Sequence, residues 1–143
     1  MLDGERLQTW WRGRRWRDDR GDASIQMAII FPFVLLATIA VIQVSMWYYA
    51  RSIALTAARE GLAAARAYQA APADGTAKAQ EVLGRSAGDS LLAYSVSTSG
   101  STAERVRVQV TGTAQSMIPG VAGLHVKQSA AGPVERWVEA PGG

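Results

Sequence analysis

Met27-Ala-Ile-Ile-Phe31-Pro32-Phe-Val-Leu-Leu-Ala-Thr-Ile-Ala-Val41-Ile-Gln43-Val-Ser-Met-Trp47-Tyr48-Tyr49-Ala50 carries no charge, and its reading decides the fold. A bilayer core about 30 Å thick is crossed by roughly 20 helical residues rising about 1.5 Å each. The run meets that length, so it is read as one transmembrane helix. A buried core helix is usually shorter, about 10–14 apolar residues, and too little sequence remains here to wrap a longer one. A cleaved secretory signal has an apolar region of about 7–15 residues followed by a small-x-small site. This run is longer, and it ends in Trp47-Tyr48-Tyr49, residues that favour a membrane–water interface. The signal-peptide reading stays as the alternative. Arg14-Arg15 resembles a twin-arginine signal, but Asp18-Asp19-Arg20 interrupts the approach to the apolar run.

Working outward, the flanks set the expected orientation. Before the run stand Arg6, Arg12, Arg14, Arg15, Arg17 and Arg20; after it, within a similar distance, only Arg51, Arg59 and Arg66. Arginine near a span end is retained on the cytoplasmic side. The head is expected inside and the chain from Arg51 outside. Trp10, Trp11 and Trp16 lie among the head arginines. Two readings fit them: a head lying on the anionic inner leaflet, or a disordered basic leader.

The chain has 143 residues, a formal net charge of +3 and no cysteine. Only one modest domain is left beyond the span, and it must hold together by packing or by partners. The positive charge is concentrated in the head, and no nucleic-acid surface with interleaved aromatics follows.

Arg51 to Ala71 is rich in Ala, Leu and Arg, strong helix formers, so the span is expected to continue outward. Ile53, Ala57, Gly61, Ala64 and Ala65 share one face, small enough for another helix or a sheet to approach closely. Pro72 and Asp74-Gly75 mark the break. A second helix is expected from Thr76 to about Ser86, capped by Asp74 or Thr76, with Val82 and Leu83 as apolar contacts and Gly88 at its end. The period then changes. Leu92, Tyr94 and Val96 alternate with small or polar residues, and Val106, Val108 and Val110 alternate with Arg105, Arg107 and Gln109, the clearest half-buried strand. Ser99-Gly100-Ser101 joins the two runs as an antiparallel hairpin. Pro119-Gly120 is a further turn, and Leu124–Ser129 and Val134–Val138 are weaker strand candidates. The tail from Ala140 is expected to be mobile. The fold class is therefore α+β: a long N-terminal transmembrane helix extending out of the membrane, a short helix and a small antiparallel β-sheet domain. The expected divisions are a basic head over 1–21, the helix and its Ala-rich extension over 22–71, and an extracytoplasmic domain over 72–143.

Catalysis needs tunable protonation or a metal. The chain has one histidine, His125, and no zinc-ligand spacing. The acids Glu60, Asp74, Glu81, Asp89, Glu104, Glu135 and Glu139 are scattered, and no glycine-rich loop cradles a phosphate. Glu60 is read as a partner in local ion pairs beside Arg59. The chain is read as a non-enzyme without cofactor or metal.

The junction Arg20-Gly21-Asp22-Ala23-Ser24-Ile25-Gln26-Met27 has a charged head, a glycine and then a long apolar helix. It resembles the leader junction of type IV prepilins, which a membrane peptidase cuts after the glycine. Gly21, Gln26 in the fifth place after it, Phe31-Pro32 and Ala57-Ala58-Arg59-Glu60-Gly61 are similar to the TadE-like family, with its Gly-x-x-x-x-Glu start, early proline and Ala-Arg-Glu-Gly motif. The resemblance covers roughly Arg20–Ala67.

That resemblance implies a pilin-like minor component of the tight-adherence (Flp) pilus machinery. Its partners would be the lipid bilayer, other pilin-like subunits, the assembly machinery and a prepilin peptidase acting at Gly21 and Asp22. Small and hydroxyl residues such as Ala37, Thr38, Ala40 and Ser45 suit close helix packing in the span. Pro32 removes a backbone hydrogen bond and is read either as a kink or as a tolerated membrane proline. Ala57, Gly61 and Ala64 are expected to pack against partner helices. The departure is Gln26, where the family has glutamate: it can hydrogen-bond but supplies no charge to a neighbour's amino terminus. Asp22 is left to neutralise its own amine. The alternative function is an uncleaved membrane-anchored extracytoplasmic binding module.

Overall fold

The structure is a computed structural model that describes residues 4–136, with side chains described from Gly21 onward. Its elements are helix α1 (Gly4–Arg66), helix α2 (Pro72–Ser86) and strands β1 (Leu91–Ser97), β2 (Arg105–Ala114) and β3 (His125–Pro133). The expected α+β order is present. The tail from Ala140 lies outside the described residues.

α1 runs without interruption through Pro32. From Gly21 to Arg66 it has 46 residues, more than twice what a bilayer needs. It ends five residues before the expected Ala71. Gln69 takes a left-handed φ of 64°, and the Ala70 N–H donates to the Ala67 carbonyl at 3.0 Å, closing a turn. A compact unit of the chain begins at Ile42. The part of α1 from Ile42 onward falls within that unit.

α2 starts earlier than Thr76 because Pro72 opens it. A proline at the first helical position gives up an N–H that has no partner there, and its φ is already helical. Asp74 works from the third position: its carboxylate accepts the Ala71 N–H at 2.6 Å, while its own N–H reaches the Ala71 carbonyl at 3.0 Å. Past Ser86, Gly88 takes a left-handed φ of 48° and stops the helix, as expected.

The three strands form one antiparallel sheet in the order β1-β2-β3. β2 behaves as its alternation predicts: Val106, Val108, Val110 and Ala114 are buried, with Arg105 and Arg107 on the other face. β1 departs from expectation. Leu91 is the buried residue, whereas Leu92 and Tyr94 are exposed. A bulge is the cause: Ala93 and Tyr94 together oppose Gly112, and Ala93 is left-handed with φ 47°. The extra residue inverts the faces. Gly112 is required opposite it, since a Cβ there would lie 2.7 Å from the Leu91 side chain. β3 begins one residue after the expected Leu124, covers the rest of that segment to Ser129 and continues to Pro133, pairing Gly132 with Val106. Val134 to Arg136 form no strand, and residues 137 and 138 of that candidate lie outside the described residues.

The core lies between one face of the sheet and the two helices. It joins Ala50, Ile53, Ala54, Ala57, Ala58, Leu62 and Ala65 of α1 to Ala79, Val82 and Leu83 of α2 and to the inward valines of β2 and β3. Most α1 contributions are alanines, so the helix backbone comes close to the sheet. Gly61 is the extreme case. A Cβ there would stand 2.7 Å from the Gly75 carbonyl oxygen, 3.0 Å from Ala79 and 3.3 Å from Val108. The end of α1 is clasped by the end of β3: the Arg66 Nε donates to the Pro133 carbonyl at 2.7 Å, and the Glu135 N–H donates to the Arg66 carbonyl at 3.2 Å.

Candidate functional site: the leader junction and the helix faces

Gly21, Asp22 and Gln26 lie on a regular helical stretch of α1, and all three are exposed. Nothing stands within 4 Å of a Cβ built on Gly21, so the junction is sterically open.

Beyond the junction α1 presents large apolar side chains to its surroundings: Ile25, Ile29, Phe33, Leu36, Val41 and Val44 are all exposed. Such a surface needs lipid or other apolar chains to cover it. The polar groups inside the run are accommodated locally. The Thr38 hydroxyl donates to the Val34 carbonyl at 2.8 Å, one turn back.

At its C-terminal end the run meets its aromatic cluster. Tyr48 and Tyr49 are exposed, and the Arg51 guanidinium sits 4.7 Å from the centre of the Trp47 ring. A cation stacked on a tryptophan at the end of an apolar run is typical of the headgroup level.

The expected packing residues separate into two kinds. Gly61 is buried against this chain's own α2 and β2, Ala57 is buried in the same core, and Ala64 is half-buried. At Gly61 the small face is thus occupied within the molecule. Pro32 is exposed within the apolar run.

Two residues gain a role that the sequence reading did not give them. The Gln43 amide donates to Ser116 Oγ at 3.1 Å, and its carbonyl oxygen accepts the Met117 N–H at 3.4 Å. The Trp47 indole N–H donates to the His125 carbonyl at 3.3 Å. Both tie the β2–β3 connection to the helix. The available signal was a glutamine inside an otherwise apolar run.

Among the described residues, no group of three or more His, Cys, Asp or Glu side chains could hold a metal ion. Glu60 pairs with Arg85 of α2 at 3.9 Å, and Arg85 also meets Glu81 at 3.6 Å. These are exposed pairs of small energetic weight. His125 is exposed at the start of β3.

The family model described as TadE-like protein matches residues 21–62, from the junction glycine through the apolar run to Leu62. No curated protein and no solved structure matches the chain.

Proposed function

We propose, for a chain whose residues 21–62 match the TadE-like family, that it is a single-pass pilin-like membrane protein of a tight-adherence (Flp, type IV-like) pilus or secretion machinery. One observation carries the reading. The match falls on the helix that is long and apolar enough to cross a bilayer, the part that a pilin shares between lipid and fibre. The head lies in the cytoplasm and the compact unit outside. Contacts to other pilin-like chains run along the exposed span around Pro32, since Ala57 and Gly61 are engaged inside the molecule. The protein acts by assembly and carries out no reaction.

Processing tests the reading. Cleavage after Gly21 by a prepilin peptidase gives a mature chain that begins at Asp22, visible as the intact mass of protein extracted from the native host's membrane. Gly21→Leu should block it, because a side chain would fill space that is open at the junction. Recovery of full-length chain alone would overturn processing and favour an uncleaved, membrane-anchored binding module. Gln26 bears on the next step. An unpaired ammonium is costly in a fibre core of low dielectric. Gln26→Glu should therefore raise the share of this chain in sheared pili; equal recovery would show that Asp22 or another group already supplies the charge, or that the chain stays out of the fibre.

A further inference from the structure

We propose that the loop between β2 and β3 is a second membrane-contacting element, one that enters the outer leaflet beside the span. The inference rests on reading the apolar run of α1 as transmembrane.

The loop's composition is the first observation. From Val108 to Val126 the chain has no Asp, Glu, Lys or Arg. Within this run Met117, Ile118, Val121 and Leu124 are all exposed. Beyond residue 66 the only other large exposed apolar side chains among the described residues are Tyr68, Leu92 and Tyr94. The apolar surface of the outer unit is therefore concentrated at one end of the sheet. The opposite hairpin, Thr98 to Glu104, is polar.

Its attachment is the second. The loop is bonded to Gln43, and the first residue of β3 just after it to Trp47; both helix residues are themselves members of the apolar run. Trp47, Tyr48 and Tyr49 mark the interface, and Gln43 lies one helical turn, about 6 Å, toward the hydrocarbon from Trp47. The loop's first residues thus stand at or below headgroup level, where water no longer solvates an unpaired N–H. The part of the loop nearest Gln43 has backbone partners suited to that setting. Met117 N–H has the Gln43 oxygen, Ile118 N–H has Ser116 Oγ at 3.2 Å, and Val121 N–H closes on the Ile118 carbonyl at 3.2 Å around Pro119-Gly120. Irregular backbone at membrane depth is tolerated only when its polar groups are satisfied by protein.

The loop's shape is the third. The Ala114 N–H holds the Leu124 carbonyl at 2.9 Å, and Gly123 is pressed against the Ala114 carbonyl oxygen so closely that no side chain fits. The loop is a folded knob. Between it and the helix lies an apolar cleft of about 200 Å³, lined by Trp47, Ile118, Val121 and Leu124. The occupant of this surface is acyl chain of the outer leaflet, because the surface is continuous with the residues that the bilayer already covers. Two contacts, span and knob, would fix how the outer unit is held at the membrane.

The natural chain has no cysteine, so single cysteines can be labelled cleanly. Leu36→Cys, Val121→Cys and Ser99→Cys would each carry an environment-sensitive fluorophore, with the full chain reconstituted at low density in phosphatidylcholine vesicles. Quenchers are lipids bearing a nitroxide either near the headgroup or at mid-chain. The label at 36 should lose most of its fluorescence to the mid-chain quencher. The label at 121 should lose most to the shallow quencher, and the label at 99 should respond to neither. Quenching at 36 with none at 121 would overturn the knob while leaving the span intact. No quenching at 36 would overturn the span and the knob with it. A shielded label at 121 that ignores both lipids and becomes exposed on dilution with vesicles would assign the surface to a second copy, and the proposal would fail.

Discussion

Gly61 illustrates how a single hydrogen can set a helix crossing. Its missing side chain lets the α1 backbone meet the Gly75 carbonyl of α2, and Gly75 is equally confined, a Cβ there standing 2.7 Å from the Cβ of Ala65. On helix propensity alone, Gly61→Ala would stabilise by about 1 kcal/mol. The contact reverses the sign. A carbonyl oxygen at 2.7 Å is backbone and cannot swing away, and overpacking typically costs about 1–3 kcal/mol. Gly61→Ala is therefore expected to lower the thermal midpoint of the full chain in detergent. A raised midpoint would mean that the two backbones separate freely.

At the scale of elements, α2 depends on Asp74. The helix opens at Ala71, whose side chain cannot accept a hydrogen bond, so only half of the usual reciprocal cap is present: the Asp74 carboxylate on the Ala71 N–H. Asp74 also places negative charge in the first turn, where the helix dipole favours it. Asp74→Ala is expected to destabilise by about 0.5–2 kcal/mol. Asp74→Asn, which keeps an acceptor oxygen, should recover part of that in the same melting measurement; equal losses for the two would assign the effect to charge. β1 shows the opposite kind of local decision. Its bulge places an alanine in a left-handed conformation that costs a non-glycine residue about 1–2 kcal/mol, and no sequence signal announced it.

For the whole molecule the question is where the folding unit begins. The core needs seven residues of α1, from Ala50 to Ala65, to cover Val106, Val108, Val110 and Val126. A fragment that starts at Ile42 keeps all of them and is expected to fold in detergent, with the dispersed amide spectrum of a native sheet. A fragment that starts at Pro72 strips one wall from the core. It should be collapsed or aggregated, with poor dispersion. A well-dispersed spectrum from the shorter fragment would show that α2 and the sheet suffice and would restore the boundary expected at residue 72.

The sequence by itself determined the long apolar helix, the change from helical to alternating period, the β2 strand and the turns at Gly100 and Pro119-Gly120. These are local or periodic properties: length against bilayer thickness, one face against another, glycine where φ is positive. It also showed a small face on α1. It did not show what fills that face, because periodicity reports that close approach is possible and says nothing of the neighbour; the tertiary structure gives it to α2 and β2. The inversion of Leu92 and Tyr94 was illegible because it arises from pairing a strand against a glycine on another strand. Gln43 had no partner legible in the apolar run; the fold brings Ser116 and Met117 to it across more than seventy residues of chain. Contacts between residues so far apart are fixed by the packing of whole elements, and only the tertiary structure decides them.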